Sequence, residues 1–167
     1  MKQPARLSRN FAASLGIALL LGLGLAPVAR AELQIDIGRG NVSPLPIAVS
    51  DFDAETAQNP RFGADVPKVV RADLERSGLF KPIDQKAFIQ TPAAMRVQPR
   101  FQDWRVINAQ ALVTGKVENL SDGRLRAEFR LWDVYSEQQL VGLAFITPPE
   151  NWRRIAHLIS DAISKRL

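Results

Sequence analysis

The chain has 167 residues, 46% of them hydrophobic, no cysteine and a formal net charge of +5. That length suits one ordinary domain, and the lack of cysteine excludes disulfides, thiolate metal sites, a cysteine nucleophile and the acylated cysteine of a lipoprotein. Four of the 22 basic residues (Lys2, Arg6, Arg9, Arg30) and none of the 17 acidic ones fall in the first 31 positions, so the other 136 residues carry 18 basic against 17 acidic side chains, a net charge of +1. The basic balance therefore gives no reason to expect a nucleic-acid partner.

Lys2, Arg6 and Arg9 precede an uncharged apolar stretch over residues 11–25, and Ala29 and Ala31 offer small side chains at the two positions a signal peptidase inspects. This is the pattern of a Sec-type signal peptide cleaved after Ala31. Arg6 and Arg9 are not a twin-arginine pair, and the apolar stretch falls short of the roughly 20 residues a spanning helix needs. The expected product is a soluble, monomeric extracytoplasmic protein without stable membrane insertion. Its layout would be signal peptide 1–31, an N-terminal segment 32–43 and an α/β domain 44–167.

Residues 32–37 alternate, with Leu33, Ile35 and Ile37 on one side and Glu32, Gln34 and Asp36 on the other, as a half-buried strand does. Gly38 and Gly40 end the run, and residues 41–44 are turn-rich. Residues 46–84 then form the organising unit. Ile47, Ala48 and Val49, prolonged by Ser50, Asp51 and Phe52, read as a buried strand. From Phe62 the period changes: Val66, Val69, Val70 and Leu74 share a helical face, with Lys68, Arg71 and Glu75 opposite. Asp65 is the expected cap, Pro67 falls in the first turn, and Gly78 closes the helix. Residues 79–83 re-emerge extended, so strand, helix and strand predict a parallel crossover.

Pro92 and Pro99 argue against long regular structure over residues 85–100. Residues 101–108 fit two turns of helix with Phe101, Trp104 and Ile107 inward, and Trp104 reads as a core aromatic under a loop rather than a ligand-stacking platform. Val113, Gly115 and Val117 share a face, Asp122-Gly123 marks a turn, and Leu125, Ala127, Phe129 and Leu131 alternate with Arg126, Glu128 and Arg130. A third run over residues 140–146 extends this hairpin into an antiparallel meander, expected to be buried on both faces at its apolar end. From Asn151 a last helix presents Trp152, Ile155, Ala156, Ile159, Ala162 and Ile163 as its apolar stripe. The fold class is one α/β domain: a mixed β-sheet with a parallel strand-helix-strand unit, an antiparallel meander and a packed C-terminal helix. Val49, Val69, Leu74, Val113, Phe129, Leu131, Ile155 and Ile159 are the expected core.

Residues that could carry chemistry are few. His157 is the sole histidine, on the polar side of the last helix with Ser160 and Asp161 three and four residues on. Three residues on one solvated surface offer no place for an oxyanion donor, so no catalytic residue is assigned. Asp51 and Asp53 sit where open α/β sheets take ligands, which leaves a small ligand-binding domain at the end of strand 46–52 as the alternative function. Gly38-Arg39-Gly40 lacks the third glycine and the helix of a dinucleotide loop. No metal spacing exists, and neither a metal nor a cofactor is expected. An interaction module is the class that remains.

Six segments carry a further signal: Pro44-Leu45-Pro46-Ile47-Ala48-Val49, the run over residues 72–80, Trp104-Arg105 leading into Ala109-Gln110-Ala111-Leu112-Val113-Thr114-Gly115, Asp122-Gly123-Arg124-Leu125, the run over residues 129–134, and Asn151-Trp152-Arg153-Arg154. In this order they resemble segments of the TolB family of the Tol-Pal envelope system of Gram-negative bacteria. The resemblance covers essentially all of the chain after the signal peptide. It implies the N-terminal α/β domain of a periplasmic, non-catalytic protein that supports outer-membrane integrity and envelope constriction at division. It also implies a six-bladed propeller that contacts the lipoprotein Pal, which would lie beyond Leu167. In that family the first mature stretch recruits the C-terminal domain of TolA, which would here be Glu32, Leu33, Gln34, Ile35, Asp36 and Ile37. Periodicity alone leaves open whether this stretch is a partner strand or an edge strand of the domain's own sheet.

Overall fold

The computed structural model describes residues 43–167. The signal peptide with Ala29 and Ala31, the segment of residues 32–37 and the Gly38-Arg39-Gly40 turn lie outside them.

Among the described residues five strands form one sheet in the order β2-β1-β3-β4-β5. They are β1 (Leu45–Val49), β2 (Phe80–Pro82), β3 (Ala111–Asn119), β4 (Leu125–Asp133) and β5 (Gln138–Thr147). β1 is parallel to both of its neighbours, while β3, β4 and β5 are the antiparallel meander. Among the described residues three α-helices accompany them: α1 (Phe62–Arg76), α2 (Phe101–Val106) and α3 (Trp152–Arg166). The expected mixed sheet and packed C-terminal helix are both present.

Strand alternation divides the core. Ile47, Val49, Val113, Val117, Ala127, Phe129 and Leu131 face α1 and α3, which bury Val66, Val70, Leu74, Ile155, Ile159 and Ile163 against them. The alternate positions Ala48, Leu112, Trp132 and Val134 face the other way, under Met95, Phe101 and Trp104 from the β2–β3 connection. Of the expected core, Val69 alone is only partly buried, on the flank of the α1 stripe. Gly115 lacks a Cβ because the ring of Phe52 occupies its place; an added Cβ would lie 2.7 Å from that ring.

Four details differ from the sequence expectations. β1 stops at Val49, and the chain rejoins the sheet only at Asp53, which bridges to Lys116. α1 starts at Phe62 behind Arg61, so Asp65 lies inside its first turn and does not cap it, and Pro67 is interior. Arg71, expected on the solvent face of α1, curls under to donate to the carbonyl of Val49 at 2.8 Å. β5 is an edge strand and not buried on both faces, with Leu143 and Ile146 45% and 48% exposed. Gly78 does close α1, in the left-handed conformation at φ +72°, and Gly123 at φ +83° makes the β3–β4 turn.

Candidate functional site

The two carboxylates at the end of β1 have separate surroundings. Asp51 accepts from Gln85 Nε2 at 2.7 Å and faces Arg71 at 3.5 Å, and burial lowers the ordinary pKa of that guanidinium while Asp51 acts in the opposite sense. Asp53 is fixed by its backbone: its N–H donates to Gly115 at 2.9 Å and its carbonyl accepts from Val117 at 2.8 Å. That places its carboxylate on the α2 side of the sheet, where the guanidinium of Arg96 holds it together with Glu55. The hydrogen bond from Arg96 keeps the Asp53 carboxyl below its ordinary value, and the backbone N–H of Glu55 at 3.2 Å adds to this against the cost of burial.

Beside Asp53 lies a cavity of about 340 Å³, lined in part by Glu55, Arg96, Lys116, Glu128 and Arg130. Asp51 takes no part in it. Sequence reasoning passed over Arg96, a lone arginine in an irregular stretch, because nothing local shows that the chain after the 3₁₀ turn Pro92–Met95 brings it to Asp53 and Glu55.

His157 does not pair with Asp161. Its Nδ1 is 2.7 Å from the carboxylate of Asp73 on α1, and Ser160 Oγ lies 3.3 Å from the same oxygen while donating to the carbonyl of Ala156 at 3.0 Å. Ser160 is buried rather than on the polar side, and Asp161 is exposed. The carboxylate stands between the imidazole and the hydroxyl, so the histidine cannot take the serine's proton, and the cluster joins α1 to α3 instead of activating a nucleophile. Asp73 was hidden from sequence reading by the 84 residues that separate it from His157.

Trp104 is a core residue, 1% exposed, with Phe88 edge-on at 5.0 Å and its indole N–H donating to Gln90 Oε1 at 2.9 Å. Among the described residues no group of histidine and carboxylate side chains could hold a metal ion, and no helix is long and apolar enough to cross a membrane.

Residues 33–140 match the family described as TolB amino-terminal domain. The Tol-Pal system protein TolB of Paramagnetospirillum magneticum is 53% identical over 155 residues, which cover 93% of this chain and 35% of that protein. The chain thus spans about a third of the length of this curated relative. Among solved structures, TolB from Acinetobacter baumannii superposes with a TM-score of 0.60 at 24% identity over 74% of this chain and 28% of that one. The lipoprotein GNA1162 from Neisseria meningitidis gives 0.52 at 15% identity over 73% and 96%. At these identities the two structures speak for the fold alone. The match over residues 33–140 and the 53% identity establish the family, and the chain belongs to the TolB amino-terminal domain family.

Proposed function

We propose that this chain is a non-catalytic interaction module of the Tol-Pal system in the periplasm, and that it recruits the C-terminal domain of TolA through residues 32–37. The observation that carries the reading is the 53% identity to a Tol-Pal system protein across 93% of the chain. The family match starts at residue 33, so the alternating segment belongs to the matched region. The chemistry suits strand addition: Leu33, Ile35 and Ile37 would enter pockets on alternate positions while the backbone pairs with an exposed sheet edge of the partner. The domain behind it is built to hold its shape, with Asp73 joining α1 to α3 and every buried side-chain polar atom of the described residues hydrogen-bonded.

A pull-down from envelope extract with residues 32–167 as bait tests this. TolA should be recovered and Pal should not. Removing residues 32–43 should abolish TolA recovery while leaving a cooperative melt, and capture of TolA by the shortened chain would refute the assignment.

A further inference from the structure

The connections on either side of β1 leave across opposite faces of the sheet. α1 carries the chain from β1 to β2 over one face, and the stretch containing α2 carries it from β2 to β3 over the other. β1 is therefore the switch point of the parallel part of the sheet, and a crevice opens beyond its carboxyl end, the place where open α/β sheets take their ligands. β3 runs on past Val113, which pairs with Val49 at the end of β1, to Asn119, so that Thr114 and Lys116, with Arg130 and Glu128 opposite them on β4, form a floor beside that end. The β1–α1 loop supplies one wall with Asp53 and Glu55, and the β2–β3 connection another with Met95 and Arg96. The 340 Å³ they enclose is at the lower end of the range for small-molecule sites.

The lining holds three cations (Arg96, Lys116, Arg130) and three carboxylates (Asp53, Glu55, Glu128), interleaved rather than segregated. A ligand of one sign would meet like charge on every side, and an apolar ligand would strip water from ion pairs without compensation. Spare hydrogen-bonding capacity is also two-sided. Among the described residues Lys116 pairs with Glu118 alone, and Arg130 uses its guanidinium on Glu128 and on the carbonyl of Val97 at 3.2 Å, leaving donors over. Among the described residues Glu55 meets a single cation, Arg96, and its side chain is 67% exposed. We propose that this crevice binds a small zwitterion, a free amino acid or short peptide, with its carboxylate on Lys116 and Arg130 and its ammonium on Glu55. Met95 provides the apolar contact between the two ends.

The residues named for this site lie between Asp53 and Arg130, so its test reads other positions than TolA capture does. The chain is titrated with the dipeptide Ala-Ala, its N-acetyl and C-amide analogues, acetate and phosphate, followed by amide chemical shifts. Saturable shifts centred on Asp53, Arg96, Lys116 and Arg130 are expected for the dipeptide. Blocking either terminus, or introducing Arg130→Gln or Glu55→Gln, should weaken binding about tenfold, the loss of one charge-assisted hydrogen bond. Should Arg130→Gln fail to fold, Lys116→Gln removes the other carboxylate donor. Lack of saturation at millimolar dipeptide, equal binding of the blocked forms, or equal binding of acetate or phosphate alone would each overturn the proposal.

Discussion

Pro67 has no N–H to offer the carbonyl of Gly63 one turn before it, and that carbonyl accepts instead the N–H of Phe52 at 2.7 Å. An interior proline, costly in an isolated helix, here frees the acceptor that ties the start of α1 to the chain leaving β1.

The contact depends on residue 63 having no side chain. A Cβ there would lie 2.6 Å from the carbonyl oxygen of Phe52 and 2.8 Å from the Cβ of Ala54. Gly63→Ala gains about 0.5–1 kcal/mol of helix propensity, but overpacking against backbone costs about 1–3 kcal/mol, so the net effect is destabilising. Urea unfolding should show a lower midpoint with an unchanged slope. A raised midpoint would mean that α1 can move away from Phe52 without penalty.

Phe129 is fully buried at the centre of the meander and stacks on Phe145 with ring centroids 6.3 Å apart. Phe129→Ala should cost about 3–5 kcal/mol, a large share of the roughly 5–15 kcal/mol that holds a domain of this size. An unchanged urea midpoint would show that this face of β4 does not carry the core.

The period of two in β3 and β4 and the helical stripes of α1 and α3 were readable because each buries one continuous face, and burial selects side chains at the period of the element. What escaped has a common physical origin. Asp73 and Arg96 act on partners brought beside them only by tertiary packing, so no local pattern marks them. β5 misled for a different reason: Leu140, Val141, Leu143, Phe145 and Ile146 are apolar enough for a central strand, yet the strand lies at the sheet's edge. Apolar content reports what a strand could bury, and only sheet order says whether anything covers it. The sequence alone puts Pro67 in the first turn, where proline is least costly, whereas here an outside donor stands in for its missing N–H.

The Asp53–Arg96 pair gives the domain a dependence on acid. A carboxyl held below its ordinary value of 3.8 lends stability that is complete above that value and is lost as pH falls through the folded-state one. Urea midpoints should therefore fall on acidification below about pH 4. Glu118, paired with Lys116 and Arg126, and Asp133, held by the backbone N–H groups of Ser136 and Tyr135, have lowered values too and share the decline. Arg96→Gln should lower stability at neutral pH and flatten the acid limb without abolishing it. Identical acid limbs in the two proteins would remove Asp53 from the account.

The proposed recruitment of TolA would rest on backbone pairing, and Ile35→Pro read against Ile35→Ala isolates that element. Proline at this position deletes one N–H and disfavours the helical region for Gln34, but it also removes the isoleucine side chain, so the share of the backbone is the loss of affinity beyond that of Ile35→Ala. If one or two inter-strand hydrogen bonds are lost at roughly 0.5–1.5 kcal/mol each, binding weakens by a few-fold to about a hundredfold. Ile35→Ala provides the contrast: it keeps the donor and removes the side chain that a pocket would hold. Calorimetry with the TolA C-terminal domain should then rank both variants below the parent chain, with thermal unfolding of residues 43–167 the same in all three. Full affinity in Ile35→Pro would rule out strand addition at this position, and an equal loss of domain stability would trace any weakened binding to the fold behind the segment.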